Sequence, residues 1–164
     1  MTKRILVGVV VLAAIAAAIV SAQSKPSIQG VWRVKEATST GPDAYTNKNP
    51  QPGLLIFSAK HYAMVRDTAR QQRPAVKSID GITAAEALAT YTNFMAQAGT
   101  YEVGNGTVTL RAMVAKNPPP DGKYGKNFAR YSMKFEGNTL TITQLENAEG
   151  KYANPSSIRL TRLE

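Results

Sequence analysis

The sequence predicts an all-β fold: eight antiparallel strands in up-and-down order closing into a barrel, with one amphipathic helix between strands three and four. Three observations carry this. Short alternating apolar segments follow one another between Gly, Pro and Asn punctuation. Turn signals of hairpin length separate most of them. Only the stretch from Thr83 to Gly99 changes to a helical period.

The first 22 residues stand apart from that pattern. Lys3 and Arg4 form a basic start, Ile5 to Val20 carry no charge, and Val20-Ser21-Ala22 supplies small or tolerated residues for cleavage. This is the three-part order of a secretory signal peptide. The rival is an uncleaved anchor, which a run rich in Ala and Gly suits less well than one rich in Leu. Residues 1–22 are therefore expected to be removed, leaving 23–164 as a single domain without a stable membrane span. N-terminal sequencing of the exported protein should begin at Gln23; an intact Met1 on a membrane-pelleted product would establish the anchor. The expected location is periplasmic or secreted.

Within the domain, Ile28–Lys35 alternates, with Ile28, Trp32 and Val34 on one face. Residues 38–53 hold three prolines and two glycines and are expected to form a long loop. Leu54–Ser58 and Tyr62–Arg66 make two strands around a tight connection at Ala59–His61. Tyr101–Val103 and Val108–Val114 flank Gly104-Asn105-Gly106, where Gly and Asn tolerate positive φ, and so form a hairpin. Phe128–Phe135 and Thr139–Gln144 flank Glu136-Gly137-Asn138, a second hairpin. Ser157–Leu163 closes the chain. The helix begins at a capping box, Thr83 to Glu86, and repeats Ala84, Leu88, Tyr91 and Met95 before Gly99 as its C-cap. Its apolar stripe is expected to pack on the sheet.

Composition removes several functions. The chain has no cysteine, which excludes disulfides, thiolate zinc sites, cysteine nucleophiles and a lipid-modified cysteine after the leader. A domain of this length buries roughly 68–70% of its unfolded surface, enough for a core without such staples. Net charge is +9, but Lys and Arg are scattered with no run of three. That lacks the clustered footprint of nucleic-acid binding and describes instead a solvated basic surface, attracted to anionic envelope components or acidic ligands. His61 is the single histidine, so neither a histidine metal cluster nor any cofactor site is expected. No Walker loop or GxGxxG is present, and the acidic residues Glu36, Asp43, Asp67, Asp80 and Glu102 are scattered. This inventory weighs against catalysis without excluding it.

Taken in order, "IQGVWRV" at 28–34, "QPGLLIF" at 51–57, "TAAEALATYTNFMAQAGTYEV" at 83–103 and a closing "SSIRLTRL" at 156–163 resemble the bacterial lipocalin-like domain family. The resemblance spans nearly all of residues 23–164. It implies a small calycin-type barrel related in shape to lipocalins, in which an arginine of the last strand lies across a tryptophan of the first. Trp32 is then a plug at one barrel end, with Gly30 leaving room for neighbouring backbone. Arg162 is the candidate partner, since alternation places it on the face of Ile158 and Leu160. The alternative for Arg162 is a surface charge near the C-terminus.

Alternation also marks an inward set: Phe57, Tyr62, Met64, Tyr101, Leu110, Tyr131 and Met133. Eight-stranded barrels either fill with such side chains or hold one small ligand. As a pocket, this set would suit an apolar or amphipathic molecule. Arg66 and Arg130 share or border that face and could hold a carboxylate. Three function classes stay open: a binding protein for such a molecule, a small-barrel enzyme of cyclase or isomerase type, and a non-catalytic interaction protein of the envelope. A monomer or weak dimer is expected.

Overall fold

The computed structural model describes residues 26–73, 75, 78–119, 122–124 and 127–164; the expected signal peptide, residues 1–22, lies outside them. Ten strands follow in chain order: β1 Gly30–Ser39, β2 Tyr45–Asn47, β3 Gly53–Phe57, β4 His61–Asp67, β5 Phe94–Gly104, β6 Thr107–Ala115, β7 Ala129–Glu136, β8 Thr139–Asn147, β9 Gly150–Lys151 and β10 Ser156–Arg162. One α-helix, α1 at Ala84–Thr92, and a 3₁₀ turn at Ile79–Gly81 stand between β4 and β5.

Eight of the strands form a closed antiparallel ring. The order runs β10-β1-β3-β4-β5-β6-β7-β8, and β8 pairs back to β10 to complete it. Closure leaves no long unpaired edge inside the ring. Three bulges bend the strands as they wrap. Lys35 is the extra residue on β1, Met113 on β6 and Leu145 on β8, each set by a one-residue shift of register. The shift at Lys35 explains a change of parity. Trp32 and Val34 point inward before it, and Ala37 points inward after it.

The interior is aliphatic and dense. Trp32, Leu55, Val108, Leu140, Ile142 and Leu160 are fully enclosed, with Ile28, Val34, Ala37, Phe57, Tyr62, Met64, Leu110 and Ile158 beside them. No polar or charged residue is fully buried among the described residues. Apart from Ile28, just ahead of β1, the strands supply this core.

Three expectations about the helix need correction. The helix follows β4 rather than the third strand, because Tyr45–Asn47, expected to be loop, pairs with Ala37–Ser39 as the short strand β2. Its length is nine residues, from the Thr83 cap to Thr92, with Asn93 closing it. Residues 94–99, expected to continue the helix, instead open β5, pairing Phe94 with Asp67 and Gly99 with Tyr62. Pairing with β4 over the whole segment, joined by β6 from Gln97 on, overrides the helical preference of Ala and Met. Finally, the stripe is not packed on the core: Leu88 is 62% exposed and Tyr91 52%. The ring closes and fills without it. The helix is held from outside by polar contacts, with Lys116 Nζ 2.5 Å from the Tyr91 carbonyl and 4.1 Å from its ring centroid. Among the described residues, no helix is long and apolar enough to cross a membrane.

Candidate functional site

The two ends of the barrel differ. At one end Trp32 fills the space between β1 and its neighbours. Its ring is completely buried, its Nε1–H donates to the Ile28 carbonyl at 2.7 Å, and Phe135 lies 6.3 Å away, tilted by 56°. The Arg162 guanidinium stands 4.2 Å from the indole centroid. It also donates to the carbonyls of Gln29 and Ser27, pinning the entering chain across the barrel end. A guanidinium over indole contributes about 0.5–2 kcal/mol, rising as water is excluded. Gly30 adopts φ 124°, a conformation that L side chains rarely take. A Cβ there would also fall 2.5 Å from Arg162 Nη1. Gly30, Trp32 and Arg162 are thus brought together, and this end is closed.

Of the six residues expected to line a ligand, Phe57, Tyr62 and Met64 are buried in the packed core. Tyr101, Tyr131 and Met133 pack against it, partly exposed. Phe57 meets Tyr101 edge-on at 5.2 Å and stacks on Tyr62 at 6.4 Å. The Tyr101 hydroxyl donates to the Ser58 carbonyl at 2.6 Å. Phe57, Tyr62 and Tyr101 therefore serve the wall near the closed end, where side chains fill the lumen.

The other end opens. A cavity of about 200 Å³ lies at the mouth, bounded by Ala37, Thr38, Tyr45, Asn47, Arg66, Met95, Gln144 and Ser156–Ile158 among others. A larger hollow of about 530 Å³ adjoins it between residues 68–73 and α1, sharing Tyr45, Thr68, Ala69 and Arg70 with the mouth. Arg70 lies 4.5 Å over the Tyr45 ring at that shared rim. The segment after β4 is anchored by Asp67, which accepts from Arg73 Nε at 2.5 Å and from the Ala69 amide at 2.9 Å. Arg73 in turn donates to the Thr90 carbonyl of α1 at 3.3 Å.

Asp67 and Arg70 border this mouth, and so does Arg66. Strand alternation carries it inward behind Tyr62 and Met64, and Gly53, its partner on β3, makes space for it. A Cβ at Gly53 would lie 2.9 Å from Arg66 Cγ and 2.9 Å from Val34 Cγ2. Burial holds the Arg66 pKa below the usual guanidinium value, and the nearby Tyr131 and Tyr45 phenols act in the opposite direction. Burial likewise pushes the Tyr131 phenol up to about 12, helped by Tyr152 and opposed by Arg66. Tyr62 is raised too, first by burial and then by Tyr131.

No protein-family model matches the chain, and no curated protein does. Among solved structures, a lipocalin-like protein from Bacteroides uniformis is similar over 83% of this chain and 98% of its own, with 10% identity and a TM-score of 0.44. The barrel described above is established by its own strand pairing.

Arg130, the other arginine marked in the sequence, is spent on an ion pair with Glu146 on the exposed side of β7. His61 opens β4 from a tight turn, its amide donating to Ser58 Oγ at 3.1 Å, and is exposed. Sequence reading missed Tyr45, Met95, Gln144 and Ser156 as mouth residues. Gln144 and Ser156 continue the inward parities of Ile142 and Ile158, so alternation carried one step further finds them. Tyr45 and Met95 had no such signal, because each belongs to a segment assigned to loop or helix.

Proposed function

We propose that this is an exported protein that binds a small apolar or amphipathic molecule at the open end of its barrel. The observation that carries the reading is the asymmetry of the two ends. One is plugged by Trp32 under Arg162; the other opens on a cavity with an apolar floor of Ala37, Met95 and Ile158 and a polar rim. The mouth alone, about 200 Å³, is smaller than the 300–1,000 Å³ typical of small-molecule sites. The adjoining hollow supplies the remaining volume. A ligand would place one end in the mouth and its body in the hollow, above a lumen filled by side chains. The sequence of residues 1–22 supports export.

A second reading has one specific observation in its favour. On the outer face, Ile56, Ala63, Ala98 and Val114 stand in register across β3 to β6, beside a second row of Leu54, Val65 and Ala96. An apolar row on the solvent side of a sheet marks an interaction surface. One titration separates the two. Fluorescent amphiphiles with fatty or aromatic bodies should bind saturably, one per barrel, and Ser156→Phe should weaken them about tenfold by crowding the mouth. If no member of a broad panel saturates, the binding reading is wrong and the interaction role leads.

A further inference from the structure

We infer that the ligand carries an anionic head group, of which a carboxylate fits best, and that the Arg66 guanidinium receives it at the barrel mouth. This deepens the binding reading above and rests on it. Arg66 Nε is buried and has no hydrogen-bond partner. None of the four ion pairs among the described residues includes Arg66. The neighbouring carboxylate, Asp67, is already committed to Arg73 and the Ala69 amide. The groups that act on Arg66 electrostatically are the phenols of Tyr131 and Tyr45, and no carboxylate is among them.

A desolvated cation without a counter-ion is costly, and folded chains rarely keep one without a partner. A guanidinium also cannot escape that cost by losing its proton. Gly53 adds a second, independent sign that the position is built. The absence of its side chain leaves room for the Arg66 stem, whose Cγ a Cβ there would meet at 2.9 Å. An arginine with its stem in an apolar wall presents a planar fork of donors, the geometry that matches a carboxylate with two parallel hydrogen bonds. Gln144 borders the same space and can add a polar contact. Arg70, at the rim shared with the hollow, attracts an anion toward the mouth. The ligand class is therefore an amphiphile with an apolar body and one acid group.

The test compares a fluorescent long-chain fatty acid with the alcohol of the same chain and fluorophore. The acid should bind the wild type at least about tenfold tighter, as expected for a charge-assisted pair. Arg66→Gln should abolish that preference, so that acid and alcohol bind the variant alike. Arg66→Lys should restore part of it, since charge returns without the fork. Because the substitution to Gln removes a partly buried charge whose Nε has no partner, the melting temperature should hold or rise, so lost folding does not mimic the result. If acid and alcohol bind alike to the wild type, or the preference survives Arg66→Gln, the anion site is overturned while the binding reading stands. If neither probe binds, both fail.

Discussion

Trp32→Ala is expected to destabilise the barrel by about 3–5 kcal/mol, the range for truncating a large buried aromatic. That is a large share of the roughly 5–15 kcal/mol that holds a typical domain folded. The indole is completely buried, so its removal leaves a cavity that the closed ring of strands cannot collapse to fill. Its Nε1–H bond to Ile28 at 2.7 Å ties the chain entering β1 to the plug, and Ala cannot replace it. Arg162 would lose the ring that it covers at 4.2 Å. Denaturant unfolding followed by circular dichroism should show a lower midpoint with an unchanged slope. Trp32 is the single tryptophan, so wild-type emission reports on this site alone and should be blue-shifted and poorly quenched by iodide. Free quenching in the native protein, or a loss below about 1 kcal/mol, would overturn the plug.

Residues 28–34 were legible because several local signals there agree. The alternation of β1, the lone tryptophan, the glycine before it and the arginine of the last strand all belong to the barrel's closed end, where packing is dense. The hairpins at 104–106 and 136–138 were legible through turn chemistry, with Asn105 at φ 50° and Gly106 at φ 73°. The mouth was legible through Arg66, by continuing the inward parity of Tyr62 and Met64, and the same alternation leads on to Gln144 and Ser156. Tyr45 and Met95 depend on features that a period of two cannot report. The bulge at Lys35 flips the parity of β1, and β2 forms from a Pro- and Gly-rich stretch only because β1 offers an edge to pair with. The largest departure is residues 94–99. Their Ala, Met and Gln suit a helix, and the capping box at Thr83 starts one, yet pairing with β4 claims them. Local propensity spans only a few tenths of a kcal/mol per residue, so a continuous ladder outweighs it.

Gly99→Ala is expected to cost about 3 kcal/mol, the upper part of the range for overpacking. The cause is steric. Gly99 is a buried residue of β5 beside the β6 bulge, and it has an ordinary negative φ rather than a left-handed one. A Cβ built there collides with the Arg111 carbonyl oxygen and lies 2.9 Å from Ala112 Cα. Both are backbone atoms, so relief requires β5 and β6 to separate at the point where the bulge turns the sheet. Gly104→Ala serves as the comparison, because its Cβ would meet nothing within 4 Å; it should stay within about 0.5 kcal/mol of wild type. Gly99→Asn tells the two structural assignments of this glycine apart. A helix C-cap at positive φ accepts Asn with little loss, since Asn tolerates the left-handed conformation. A glycine pressed against backbone in a strand rejects Asn as strongly as Ala. Chemical denaturation of the three variants should therefore group Ala and Asn at position 99 together, well below Gly104→Ala. Mild behaviour of Gly99→Asn with a damaging Gly99→Ala would return this residue to the end of a longer helix and remove the lower half of β5 from the barrel.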